Sequence, residues 1–235
     1  GDVYKRQASG KSLGYQLATL SYLATASTAT VLYIAPTKAL AQDQRAALAR
    51  MCAGAANLRD IMVATYDGDT PPETRRVIRD QARVIVTNPD MLHASILGNP
   101  QSWSRLLRTL RYVVIDECHV YRGVFGAHVA MVLRRLLRLC AAAPTIVLAS
   151  ATSVDPAAHA RRLTGRAKVA AVTRDGAPAG ERTVALWEPG FLPETEGENG
   201  APVRRAANSE AADVMGLAIA QGCLLYTSPS PRDLS

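Results

Sequence analysis

The sequence predicts an α/β fold, a parallel β-sheet with helices packed on both faces. Three observations carry that reading. Short β-rich runs alternate with helical stretches through the middle of the chain, the pattern of strand–helix–strand units. Runs such as Tyr112-Val113-Val114-Ile115 are apolar at nearly every position, as strands become when helices cover both of their faces. The polar residues with chemistry to offer fall just after these runs, where parallel strands present their carboxyl ends to a ligand.

Taken in order, a helix is expected over residues 11–26 and a strand over 31–35. A helix over 38–52 and a strand over 61–66 follow, then a helix over 72–81 and strands over 83–87 and 112–116. The helix over 126–141 places Val129, Val132, Leu133, Leu136, Leu137 and Cys140 on one apolar stripe, opposite Arg134, Arg135 and Arg138. The stripe reads as core and the arginines as a solvated face, with a nucleic-acid site as the alternative. A strand over 145–150, a helix over 156–164 and a strand over 168–173 complete the alternation. Beyond Thr173 the character changes. Residues 183–187 read as a last strand and 188–203, rich in Pro, Gly and Glu, as a loop. Asn208 or Ser209 then caps a helix that carries Glu210 and Asp213 in its first turn and reaches Gly222. No internal repeat is visible.

Bulk properties narrow the class. At 235 residues the chain holds one domain of full size with a little left over. A composition 48% hydrophobic and 20% charged is that of an ordinary globular protein. No apolar run approaches the roughly 20 residues that span a bilayer, and no secretory signal pattern opens the chain. The net charge of +7 permits a polyanionic partner without demanding one. Cys52, Cys118, Cys140 and Cys223 lack the paired spacing of a zinc site or a disulfide framework, so reduced thiols in a cytoplasm are expected.

The two ends look foreign to the gene. Residues 1–7 and 223–233 resemble a translated sequencing adapter read from opposite strands. The transposase mosaic-end sequence GATGTGTATAAGAGACAG reads Asp-Val-Tyr-Lys-Arg-Gln, and its reverse complement, continued into the adapter, reads Cys-Leu-Leu-Tyr-Thr-Ser-Pro. Both ends, through Ser235, are therefore set aside from fold reasoning. The expected native stretch is 8–222, cut at both sides, with a lobe over 8–187 and a linker and helix over 188–222.

Three motifs carry the chemistry. Ala8-Ser9-Gly10-Lys11-Ser12 is the second half of a phosphate-binding loop, in which backbone N–H groups and a helix N-terminus cradle phosphate oxygens. Lys11 would neutralise charge and the Ser12 hydroxyl would coordinate magnesium. Arg6 and Gln7 stand where the first half needs small residues and glycine, so the loop as written is damaged. Asp116-Glu117-Cys118-His119 follows an apolar strand: Asp116 is placed to hold magnesium and Glu117 to orient the water that attacks a phosphate. His119 reads as a coupling residue touching the Ser150-Ala151-Thr152 turn, the alternative being a satisfied core histidine. His93, His128 and His159 have no partner visible in the sequence and read as structural or surface residues.

The ordered set of Gly10-Lys11-Ser12, APTKALAQDQ (35–44), TNPDMLH (87–93), IDECH (115–119) and SAT (150–152) resembles the first motor lobe of a superfamily 2 DEAD/DEAH-box helicase, a RecA-like P-loop NTPase lobe. The longer string at 116–136 is similar to bacterial helicases that carry a C-terminal zinc-binding domain of DUF1998 type and act in repair of mitomycin-type DNA damage. The resemblance implies ATP and Mg2+ as cofactors, single-stranded or partly duplex DNA as partner (RNA remaining open), and movement from 3′ to 5′. It implies that Thr37, Lys38, Thr87, Asn88 and Asp90 contact or buttress the sugar-phosphate backbone, giving binding that tolerates sequence and responds to salt. Pro89 and Asp90 also fit a loop turn and a helix cap. Ser150 and Thr152 would link nucleotide state to the grip on nucleic acid. Tyr121 and Arg122 lie in the subfamily-like stretch without a role that follows from sequence. The second lobe, expected to bring arginine fingers against the γ-phosphate, is outside this stretch, as are a zinc-type cysteine cluster and adenine-recognition residues. Three rivals stand beside the helicase reading: a translocase that does not separate strands, a fragment that binds nucleic acid and catalyses nothing, and a small-molecule kinase.

Overall fold

The computed structural model of the protein describes residues 11–150, 155–173, 186–196 and 201–222. Two compact units divide the chain, residues 1–178 and 179–235.

The first unit is built on a five-stranded sheet in the order β2-β3-β1-β4-β5. Its strands are β1 (Thr30–Ile34), β2 (Val63–Thr65), β3 (Val84–Thr87), β4 (Leu110–Ile115) and β5 (Thr145–Leu148), and every pairing is parallel. Register sorts the side chains onto two faces. One row runs Ala64, Ile85, Leu32, Val113 and Ile146, each opposite the next across the sheet. The row one residue further on runs Thr65, Val86, Tyr33, Val114 and Val147 on the other face.

Each face has its own helical cover, so β1 and β3 are buried at every position. Helices α1 (Lys11–Thr25) and α2 (Lys38–Ala53) pack Leu20, Leu23, Ala41 and Leu48 against the face that carries Tyr33 and Val114. The face that carries Leu32 and Val113 is covered by α3 (Pro72–Gln81), α5 (Ser104–Thr109), α6 (Gly123–Leu139) and α7 (Pro156–Thr164). A short α4 (Pro89–Met91) runs into a π-helical turn at Leu92–Ile96 on the same side. Trp103 fills this core and meets Tyr66 edge to face at 4.8 Å. Arg83 and Arg105 point their guanidinium groups at carbonyls and so satisfy loose ends between elements: Arg83 at those of Leu23, Ala26 and Ala29, Arg105 at those of Arg79 and Ala82.

The arginine side of α6 matches the amphipathic pattern, although the helix starts at Gly123 and ends at Leu139 with Cys140 as its C-cap. It begins early because Gly126 lets the helix pass close to Tyr121; a Cβ there would lie 2.5 Å from the Tyr121 carbonyl oxygen.

Four expectations near the C-terminal side are corrected. Residues 168–173 form no strand: they pair with no strand among the described residues and are largely exposed, Val172 at 94%. Residues 188–203 are not simply a loop, because β6 (Phe191–Glu196) and β7 (Pro202–Arg204) form an antiparallel pair in the second unit. A cross-strand contact favours it: the Arg204 guanidinium lies 4.2 Å from the centre of the Phe191 ring and 2.7 Å from the Glu188 carboxylate. Of the strand expected over 183–187, residues 183–185 lie outside the described residues and Leu186 and Trp187 have no strand conformation. The last helix, α8 (Ala207–Ala220), starts before both expected caps; Ala206 is the N-cap, without a side-chain hydrogen bond. Glu210 does lie in its first turn, whereas Asp213 lies in the second, and Arg205 binds both, at 2.9 Å and 2.6 Å.

Candidate active site

Because all five strands run the same way, their carboxyl ends share one edge. That edge gathers Thr37 and Lys38 after β1, Asn88 and Asp90 after β3, Asp116 and Glu117 after β4, and Ser150 after β5. The acidic turn after β4 is pinned from both neighbouring strands. Asp116 donates its N–H to the Ile34 carbonyl at 3.0 Å, and Cys118 donates its own to Ala149 at 2.9 Å.

Asp116 is 6% exposed, and a buried carboxylate must be hydrogen-bonded to be tolerated. Its Oδ1 accepts the Glu117 N–H at 2.9 Å. Its Oδ2 faces the hydroxyls of Tyr33 at 3.0 Å and Tyr15 at 3.3 Å, and the Gln44 side-chain amide at 3.4 Å. The two phenols are themselves 2.5 Å apart. Each phenol has one proton, so the set forms either two direct donations to Oδ2 or a relay from Tyr33 through Tyr15. Burial pushes the Tyr15 phenol up to about 12 and the Tyr33 phenol higher still, so both remain donors at neutral pH. Tyr15 is also hydrogen-bonded to Ser12, which ties the first turn of α1 to Asp116.

Glu117 has φ 45° and ψ 40°, the sole non-glycine residue with positive φ among the described residues. An L-residue in that left-handed conformation costs roughly 1–2 kcal/mol, and such strain concentrates at functional sites. The strain turns its carboxylate toward His119, whose Nδ1 lies 3.0 Å from Oε2. Apart from this contact, neither buried atom has a polar partner among the described residues.

His119 is thus held by Glu117, while the Cys118 thiol shares a hydrogen bond with Ser150. Burial, then the Glu117 charge, pushes that thiol up to about 11. His159, read from sequence as structural or surface, proves to be a link between elements. From α7 its Nε2–H donates to the Cys118 carbonyl at 2.9 Å, since a carbonyl can only accept.

On the neighbouring stretch of the edge, Thr37 caps α2 by accepting the Leu40 N–H at 3.3 Å. Lys38 pairs with Asp69 at 2.6 Å in full solvent, where such a pair is weakly held. Thr87 is buried and donates its hydroxyl to the Tyr66 carbonyl at 2.7 Å, a buttress rather than a contact surface. Asn88 caps α4 through Met91 N–H at 2.8 Å, so the capping role considered for Asp90 belongs to Asn88, and Asp90 is exposed in the first turn. Ala8, Ser9, Gly10 and Thr152 lie outside the described residues. Lys11 opens α1 and Ser12 is half-buried in its first turn. Among the described residues no group of three or more His, Cys, Asp or Glu side chains is arranged to hold a metal.

The sequence reading missed Tyr15, Tyr33, Gln44 and His159. Tyr33 left one signal: a phenol in the strand Thr-Val-Leu-Tyr-Ile, buried throughout, must find a hydrogen-bond partner. The others meet their partners across 41 to 101 residues of chain, where no spacing rule reaches.

Residues 3–159 match the family described as DEAD/DEAH box helicase. The chain belongs to that family. It is 44% identical over 205 residues to the ATP-dependent helicase HRQ1 of Saccharomyces cerevisiae, covering 85% of this chain and 19% of the yeast protein. To YprA of Bacillus subtilis, an uncharacterized ATP-dependent helicase, it is 41% identical over 86% of this chain and 26% of that protein. The crystal structure of the DUF1998 helicase MrfA bound to DNA superposes with a TM-score of 0.83 at 39% identity, over 91% of this chain and 28% of that one. The DEAD/DEAH chain described here is thus a RecA-like lobe that spans less than a third of the length of these relatives.

The left-handed geometry of Glu117 gives a prediction. Glu117→Gly raises stability by about 0.5–1 kcal/mol in urea unfolding, even without the His119 pair. Glu117→Val, β-branched and unable to relax there, lowers it. The reverse order would show that Glu117 is not left-handed.

Proposed function

We propose that this chain is the first motor lobe of an ATP-dependent DNA helicase that couples ATP hydrolysis to movement along nucleic acid in DNA repair, in the cytoplasm. One observation carries the reading: a single sheet edge gathers Ser12-linked Asp116 and strained Glu117 beside the exposed Lys38 and Asp90. Relatives named as ATP-dependent helicases, and a DNA-bound structural neighbour, support it.

In this reading Ala8, Ser9, Gly10 and Lys11 cradle the phosphates of ATP. The Ser12 hydroxyl and the Asp116 carboxylate are hard oxygen donors, the kind that suits a magnesium ion shared with phosphates. Bound magnesium would neutralise charge on the phosphate oxygens during transfer to water. Glu117 orients the attacking water, its carboxylate aimed by the left-handed turn and held by His119. Ser150, through Cys118, and His159, through the Cys118 carbonyl, pass movement of the turn to α7; Thr152 belongs to the same link. Thr37, Lys38, Asn88 and Asp90 meet the sugar-phosphate backbone, with Thr87 buttressing from below, and the strand is tracked 3′ to 5′.

The isolated chain is a weak binder that turns over no ATP, because the residues before Ala8 do not complete a phosphate-binding loop. ATP turnover by residues 8–222 alone would overturn that statement.

The helicase reading is tested in the full-length parent. Glu117→Gln keeps ATP binding and abolishes DNA-stimulated hydrolysis; unchanged turnover would sink the assignment. ATP-driven opening of a 3′-tailed duplex separates a helicase from a translocase, which hydrolyses ATP and opens nothing. In the chain itself, Lys38→Ala leaves one phosphate fewer neutralised, so the logarithm of oligonucleotide affinity becomes about 0.7 less steep against log salt concentration. Asp69→Asn instead frees Lys38 and tightens binding. Fluorescence anisotropy across a salt series reads both, and no change in either variant would remove Lys38 from the interface.

A further inference from the structure

Along the outside of α6 lies a groove of about 890 Å³. One wall is the segment that follows β3, from Pro89 to Pro100. The floor is the α6 stripe of Phe125, Val129, Val132 and Leu139, with Met131 beside it. This surface is apolar yet open: Phe125 is 48% and Met131 61% exposed. From Phe125 to Leu139 the helix extends about 21 Å, so the groove accepts a helix of about four turns.

The rim is positive. Arg134, Arg135 and Arg138 line it with His93 and His128, against a single carboxylate, Asp90. Arg135 donates to the Leu97 carbonyl at 2.6 Å, and Arg134 to the Arg162 carbonyl at 3.2 Å. Neutral carbonyls fix these two guanidinium groups without cancelling their charge. Arg138 makes no hydrogen bond or ion pair with a described residue. The sequence reading of these arginines as a plain solvated face omitted the apolar floor beside them.

We propose that the groove docks an acidic amphipathic helix of a protein partner. Apolar side chains at i, i+3, i+4 and i+7 of the partner lie over Phe125, Met131 and Val132, and its acidic flank pairs with Arg135 and Arg138. Charge complementarity sets the sign of the partner, and the floor sets its class. A phosphodiester backbone would use the arginines but gain nothing from Phe125, Met131 and Leu139, whereas a helix uses both. Met131, unbranched and polarizable, adapts to apolar side chains of different shape. The inference does not rest on ATP hydrolysis or on the helicase reading.

The test uses the purified chain and a fluorescein-labelled helical peptide of about 16 residues, with leucines on one face and glutamates on both flanks. Saturable binding by anisotropy is expected. Arg138→Glu and Met131→Glu should each weaken it about tenfold or more, as should exchanging the glutamates of the peptide for lysines. Arg76→Ala, an exposed arginine of α3 outside the groove lining, should leave it unchanged. Both groove residues are exposed, so the variants should melt with the wild type. The proposal is overturned by absent binding, by equal binding of the lysine peptide, or by groove variants that bind normally. Displacement of the peptide by oligothymidine would assign the groove to the nucleic-acid path. A wild-type dimer in sedimentation that Arg138→Glu dissolves would assign it to a second copy.

Discussion

The carboxyl edge of the sheet depends on how one buried charge is satisfied. Asp116 sits at the end of a strand covered on both sides, where an unpaired carboxylate would be costly to keep. The chain meets that demand from three directions: the backbone of Glu117, two phenols from α1 and β1, and an amide from α2. The same contacts fix the carboxylate in one orientation. They also bind α1 to the strand that leads into Asp116, so the helix and the acidic turn are held in one register.

The strain at Glu117 follows from this seating. Asp116 is committed to the Ile34 carbonyl through its N–H, and Cys118 to Ala149. The residue between them must reverse the chain within a single step, and a left-handed conformation does so. The energy stored there is of order 1–2 kcal/mol and is offset by strand pairing on either side. The Cys118 contacts with Ser150 and His159 make the turn sensitive to the segment after β5. That is the arrangement required if hydrolysis is to be felt elsewhere in a motor.

How much of this was legible in the sequence depended on the range of the forces involved. Strands β1, β3 and β4 were legible because cover on both faces leaves mostly apolar residues, and the Asp116-Glu117 pair because it ends such a run. The elements between β3 and β4 were not, since α4, its π-helical extension and α5 are each six residues or fewer and show no full helical period. Residues 168–173 carry strand-like residues but have no partner strand among the described residues, and a ladder is a property of two segments rather than one. The pairing of β6 with β7 was hidden for the complementary reason: its Pro- and Glu-rich composition reads as loop, and the Arg204–Phe191 contact supplies what composition lacks. At the candidate site, the types and order of the residues gathered on the sheet edge were readable. Their supporting hydroxyls were not, because Tyr15 and Tyr33 reach Asp116 across 101 and 83 residues.

Whether phenol-to-carboxylate hydrogen bonds hold Asp116 is open to a double-mutant cycle in urea unfolding, with Tyr33→Phe and Asp116→Ala made singly and together. The account predicts coupling of at least about 1 kcal/mol, because removing the hydroxyl is costly only while the buried carboxylate is there to need it. Stability changes that add to within about 0.5 kcal/mol would contradict it and leave the carboxylate held without the Tyr33 hydroxyl.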